Sequence, residues 1–168
     1  MAEEIINKVA NSGLITLNLE EYYPQGKRHF IGIEKWLYEG VMLKEKEFRA
    51  HVKEHDWSLY KNQHLAIDCT TDAIIPNWAY MLISIAVAPY AKTMIKGNLD
   101  ALEVLLFQNS IDAIDLSELK DQRIIIKGCS NLPVSEHAYA ALTNRLVPIA
   151  KSIMFGEACS AVPIYKRK

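Results

Sequence analysis

From about residue 44 onward, apolar positions fall alternately into short runs and helical stripes. His64-Leu-Ala-Ile-Asp-Cys69 and Arg123-Ile-Ile-Ile-Lys-Gly-Cys129 are short apolar runs with β-branched residues, the pattern of strands covered on both faces. A long apolar segment follows each and predicts a helix. Pro76 falls near the first turn of one, where its missing N–H is harmless, and Ser135 is placed as the N-cap of the other. Pro89 and Pro148 are expected to kink or end these helices at matched positions. Short strands follow, Thr93-Met-Ile-Lys96 and Ser152-Ile-Met-Phe155, each closed by a glycine. Two further helices are expected over Lys44 to His55 and from about Leu99 to Ile114, the latter with Leu102, Leu105, Leu106, Ile111 and Ile114 near one stripe.

The N-terminal part reads as a short helix (Glu3 to Asn11), then a half-buried strand in which Ile15, Leu17 and Leu19 alternate with Thr16 and Asn18. Tyr22-Tyr-Pro-Gln-Gly26 reads as a turn and Trp36-Leu-Tyr-Glu-Gly40 as another strand. Ala161-Val-Pro-Ile-Tyr165 is expected at a sheet edge, because Pro163 cannot donate to a ladder.

The elements recur. At an offset of 59, Asp56-Trp-Ser-Leu-Tyr-Lys-Asn-Gln-His-Leu-Ala-Ile67 meets Asp115-Leu-Ser-Glu-Leu-Lys-Asp-Gln-Arg-Ile-Ile-Ile126, with Asp, Ser, Lys, Gln and Ile in place. The same offset pairs Ala79, Tyr80, Pro89, Ala91, Lys92 and Gly97 with Ala138, Tyr139, Pro148, Ala150, Lys151 and Gly156. A one-residue insertion in the intervening loop brings Cys69 opposite Cys129. Such self-similarity predicts an internal duplication, with copies over about 42–97 and 101–156. Strand-helix alternation makes the expected fold α/β: a mainly parallel sheet, mixed at the edges, flanked by helices. No linker rich in Pro, Gly or Ser divides the 168 residues, so one domain over 1–168 is expected.

Composition narrows the classes. Ala73 to Ala91 runs without a charge, but Pro76, Asn77, Ser84 and Pro89 interrupt it, so a buried core helix is expected rather than a membrane span. The acidic start Met1-Ala-Glu-Glu does not match a secretory signal, and a cytoplasmic protein is expected. A net charge of −1 supplies no field to gather nucleic acid or an anionic membrane. The basic tail Tyr165-Lys-Arg-Lys168 reads as a solvated terminus.

Three cysteines, an odd number, favour free thiols over a disulfide framework. If the strands after Gln63 and Gln122 are parallel neighbours, Cys69 and Cys129 lie at strand C-termini, the edge where open α/β sheets bind ligands. Asp72 and His137 fall just past that edge and join them as candidates. Cys69, Cys129 and Cys159 form a candidate metal or iron-sulfur set without a Cys-x-x-Cys pair. Two other readings stand beside it: buried packing residues, or a nucleophile served by His137 or Asp72. His64 begins the strand that Cys69 ends, about 17 Å away at the rise of a strand, and is no partner. His51 and His55 have the spacing of a two-histidine pair on a helix, but His55 reads as flanking the core; Trp78, Tyr80 and Met81 also read as core.

Trp36-Leu-Tyr-Glu-Gly-Val-Met-Leu-Lys-Glu-Lys-Glu-Phe-Arg49, Cys69-Thr-Thr-Asp-Ala-Ile-Ile-Pro-Asn-Trp-Ala-Tyr80, Lys127-Gly-Cys129 and Met154-Phe-Gly-Glu-Ala-Cys-Ser160 carry a family resemblance over nearly the whole chain. The chain resembles an uncharacterised family of Bacteroidetes proteins, domain of unknown function 2480. That resemblance implies no established activity and no catalytic residues. It implies genes near those for SUF-type iron-sulfur cluster assembly, which favours iron-sulfur assembly proteins as partners and a metal ion or cluster as cofactor. The expected function is a non-catalytic accessory or binding protein. The alternatives are a cysteine-dependent small-molecule enzyme and an interaction module with structural cysteines.

Overall fold

The computed structural model describes residues 13–128 and 131–168, and the helix expected over Glu3 to Asn11 lies outside them, as does Cys129. The described elements are β1 (Leu14–Leu17), β2 (Arg28–Gly32), α1 (Glu45–Glu54), β3 (His64–Asp68), α2 (Asn77–Val87), β4 (Thr93–Lys96), α3 (Leu99–Asp112), β5 (Arg123–Ile126), α4 (Glu136–Leu146), β6 (Ser152–Glu157) and β7 (Ser160–Lys166). The fold is mixed α/β, with two mostly parallel sheets flanked by helices. One sheet has the order β2-β3-β4 and the other β1-β5-β6-β7, with only β6 and β7 antiparallel.

The chain forms two compact units. Gln25–Leu105 is continuous, and Met1–Pro24 with Leu106–Lys168 is discontinuous. The strands after Gln63 and Gln122 are therefore not neighbours: β3 pairs with β2 and β4, and β5 with β1 and β6. Each is the middle strand of its own parallel trio, which is why both read as unbroken apolar runs.

In the continuous unit Leu65, Ala66 and Ile67 are wholly buried, and Phe48 and Val52 of α1 and Ala79, Ile83 and Val87 of α2 join Leu65 and Ile67 in one core. The Phe48 ring meets Trp36 and Trp78 edge-on, at 6.0 and 5.9 Å between centroids. Each buried Leu, Ile or Phe contributes about 1.5–3 kcal/mol. In the discontinuous unit Phe107 and Ile111 of α3 pack with Ala138, Leu142 and Leu146 of α4 over Ile124, Ile126 and Ile153.

Some local features of one unit have counterparts in the other. Helices α2 and α4 start 59 residues apart, and the register pairs His64 with Thr93 in one sheet and Arg123 with Ser152 in the other. Asn62 and Asp121 both adopt φ 59°, a left-handed conformation that Asn and Asp tolerate, before the middle strand. Their N–H groups donate to Tyr90 O at 3.0 Å and Ile149 O at 2.9 Å. The helix starts differ: the Ser135 hydroxyl accepts the His137 N–H, whereas Pro76 caps α2 with no side-chain bond.

Several expectations are corrected. Trp36 to Gly40 is not a strand, because Ile33–Trp36 form a 3-10 turn and Glu39 and Gly40 adopt positive φ in a tight reversal joining Tyr38 to Met42. Strand β2 went unforeseen; its Arg28-His29 start interrupts any apolar alternation. Helix α2 joins the core along one stripe, Ala79, Ile83 and Val87, but Met81 and Ile85 are 63% and 72% exposed, so the helix is not buried all round and the placing of Met81 in the core does not hold. The edge position of Ala161 to Tyr165 holds as β7. Among the described residues, no helix is long and apolar enough to cross a membrane.

Candidate functional site

Parallel strands end together, and at the C-terminal edge of β3 and β4 they deliver Asp68 and Lys96 side by side. Lys96 Nζ lies 3.0 Å from Asp68 Oδ1. The other groups at the Asp68 carboxylate are the backbone N–H of Cys69, donating at 2.8 Å, and the phenol of Tyr80 from the first turn of α2. Asp68, Cys69, Ala73, Ile75, Asn77, Tyr80 and Lys96 line a cavity of about 290 Å³.

Tyr80 registers this environment most strongly. Its phenol pKa is pushed up to about 12, first by burial, then by the negative charges of Asp68 and Cys69 and the hydrogen bond it donates to Asp68; the backbone N–H of Cys69 opposes the rise. Tyr80 is therefore a protonated donor at neutral pH. It packs, partly buried, against the core, as the sequence leads one to expect, and it also forms a wall of the cavity.

Cys69 is half-buried, with its Sγ 3.3 Å from Thr71 Oγ1 and 3.6 Å from Thr71 O. The Thr71 hydroxyl donates to Gly40 O at 2.6 Å, so its proton is committed and the thiol is the donor toward Thr71. Residues 70–76 separate Cys69 from the start of α2 in the chain, and Asn77, the first residue of that helix, lines the same cavity.

The other candidates are not among the residues that line this cavity. Asp72 is exposed and lines a different groove, of about 570 Å³, with Val41, Met42, Ile74 and Trp78. His137 belongs to the discontinuous unit, where its Nε2 lies 2.8 Å from Gln108 Oε1. Cys159 is exposed in the β6–β7 turn of that same unit, and Cys129, proposed beside it, lies outside the described residues. Among the described residues, no three His, Cys, Asp or Glu side chains gather as a metal site. His64 is buried at the start of β3, with Nε2 2.8 Å from Gln25 O. His55 flanks the core as expected: its Nε2 meets Tyr60 Oη at 3.0 Å, and burial, then Lys35, lower its pKa.

Sequence reasoning missed Lys96, the Asp68 carboxylate, and Glu20 and Glu34, the second residues of the 3-10 turns Leu19–Tyr22 and Ile33–Trp36. Glu34 Oε2 accepts the Thr70 N–H at 3.3 Å, and in the discontinuous unit Glu20 Oε1 accepts the N–H groups of Asn131 and of Leu132, the latter at 2.8 Å. Leu17-Asn-Leu-Glu20 and Ile31-Gly-Ile-Glu34, two alternating apolar residues followed by Glu, are the signal that marks the pair.

A mixed α/β protein of two mostly parallel sheets, with a polar cavity at one strand edge, is thus the class this chain represents. The chain belongs to the family described as Protein of unknown function (DUF2480), whose model matches residues 3–167. No curated protein and no solved structure matches it.

Proposed function

We propose that this protein binds a small polar, zwitterionic molecule in the cavity at the C-terminal edge of β3 and β4, and that it does so without catalysing a reaction. The observation that carries this reading is the Asp68–Lys96 pair at 3.0 Å on the cavity wall, beside the Cys69 thiol. An amino-acid-like ligand offers an ammonium to Asp68 and a carboxylate to Lys96. Lys96 is 57% exposed in its side chain, and exposed pairs are worth about 0–1 kcal/mol, so a ligand exchanges the pair at small cost. A volume of about 290 Å³ suits a ligand smaller than a drug-sized molecule.

Nucleophilic catalysis by Cys69 requires a neighbouring base. The lining residues include no histidine, Lys96 is paired, and Tyr80 holds its proton to about 12. Binding is the reading those side chains favour.

The exposure of Cys69 to the cavity favours a second reading, in which the thiol takes a thiophilic metal ion in transit. Its remaining ligands then come from a partner, the form in which a link to iron-sulfur assembly proteins would operate. Peptide-resolved alkylation by iodoacetamide separates the two. Binding of a zwitterion predicts that a mixture of the free L-amino acids other than cysteine, whose own thiol would consume the reagent, slows Cys69 modification at least tenfold, and that Asp68→Asn and Lys96→Met abolish the protection. Protection by Zn²⁺ alone supports the second reading and overturns the first. Protection by neither contradicts both.

A further inference from the structure

We propose that Glu34 is a positioning residue, a latch that holds the Cys69–Thr71 turn against the segment 33–40 and thereby sets the direction in which the Cys69 thiol points. The proposal rests on reading the Cys69 cavity as the binding site, and it names what shapes that site.

Four features converge on Glu34. Its carboxylate accepts the Thr70 N–H at 3.3 Å, one residue beyond the thiol. A second tie binds the same turn to the same segment, from Thr71 Oγ1 to Gly40 O at 2.6 Å, and Thr71 is the residue that accepts the hydrogen bond of the thiol. Residue 32 leaves room for the carboxylate: a Cβ on Gly32 would stand 2.1 Å from Glu34 Oε1. Gly32 has φ −82°, which any L-residue adopts, so a side chain there would meet the Glu34 carboxylate and push it from its place without straining the backbone. Finally, the discontinuous unit builds the same device, with Glu20 at the second position of its 3-10 turn holding the N–H groups of Asn131 and Leu132 beyond β5.

The two latches differ in one informative respect. Asn18 caps its own turn, its Oδ1 accepting the Glu20 N–H at 3.1 Å, which leaves the Glu20 carboxylate free for the loop. Gly32 has no side chain to do this, so the Glu34 carboxylate receives its own N–H as well as that of Thr70. Glu34 therefore divides its acceptor capacity, and a carboxylate, with about four lone-pair sites, has enough for both.

Amide hydrogen exchange of the intact protein, with no ligand added, tests the latch independently of the binding reading. Glu34→Ala is expected to speed exchange at Thr70 at least tenfold and to change the Cys69 alkylation rate, while exchange at Ala66 in the middle of β3 stays as it was. Glu34→Gln keeps an acceptor oxygen and falls between. Gly32→Ala, which leaves Glu34 in place but puts a methyl where its carboxylate lies, reproduces the Glu34→Ala effect at Thr70. Unchanged Thr70 exchange in Glu34→Ala overturns the proposal. So does an equal rise at Ala66 in both Glu34→Ala and Gly32→Ala, which would show a general loss of folding. If Thr70 responds but amino acids never protect Cys69, the latch stands and the binding reading falls.

Discussion

The two units present different chemistry at the C-terminal edges of their parallel strands. In the continuous unit the end of the middle strand presents Asp68, and the end of the next presents Lys96; 59 residues on, the same places hold Lys127 and Phe155. Tyr80 and Tyr139 occupy matched helix positions. Tyr80 meets a carboxylate and a thiol over a polar cavity, whereas the Tyr139 ring packs edge-on against Phe155 at 5.7 Å. Gly128, two residues past the end of β5, has the Phe155 ring about 3.0 Å from where a Cβ would stand, so aromatic bulk crowds that edge. The helices follow suit: α2 carries no charge, while α4 carries Glu136 and Arg145, and Arg145 donates to Ile111 O and Ile114 O. Similar strand order therefore does not imply a similar site.

The comparison breaks most severely if a core is emptied. Phe48 is fully buried in the continuous unit and Phe107 in the discontinuous one, and Phe→Ala in a well-packed core costs about 3–5 kcal/mol. Phe48→Ala is expected to lower the exchange protection of Leu65 and Ile67 by that amount, and Phe107→Ala that of Ile124 and Ile126. A loss below about 1 kcal/mol in either would show that the ring is not part of a core that holds its sheet.

A smaller effect sharpens the likeness of the two latches. The Glu34 carboxyl sits below the ordinary carboxylate range, chiefly through its own backbone N–H, with Thr70 and Lys35 adding to the lowering and burial opposing it. Glu20 is lowered first by the Leu132 N–H, then by Asn131, Asn18 and Lys127, again against burial. A depressed carboxyl contributes fully above its unfolded-state pKa, and its contribution is lost as pH falls through the lower folded value. Acidification below the ordinary carboxylate range is expected to speed exchange at Thr70 and Leu132, after correction for intrinsic rates, before Ala66 or Ile125 responds. Simultaneous loss at all four amides would mean that the carboxylates do not act locally.

Much of the plan was legible in the chain. Apolar periodicity marked all four helices of the described residues, and the matched Pro89 and Pro148 marked two of their ends. Pairing was not legible, because β3 and β5 carry the same kind of buried run and nothing in either says which strand lies beside it. Strand β1, which precedes the continuous unit in sequence, completes the other sheet, so a repeat aligned at a single offset misses it. At the site, Cys69 stood out by residue type. Lys96 did not, since a lysine ending a short strand looks like any solvated charge until Asp68 is placed beside it by the parallel register. Asp72 drew notice by nearness in sequence, yet the loop turns its side chain to another groove.

The central claim is that the working edge is the polar one. It is tested most directly by titrating the ¹⁵N-labelled protein with an equimolar mixture of the twenty free L-amino acids and following backbone amide shifts. Concentration-dependent changes gathered at Asp68, Cys69, Asn77, Tyr80 and Lys96, with Tyr139 and Phe155 unmoved, are the predicted result. Changes gathered at Tyr139 and Phe155 instead, or none at the Cys69 edge, would contradict the account.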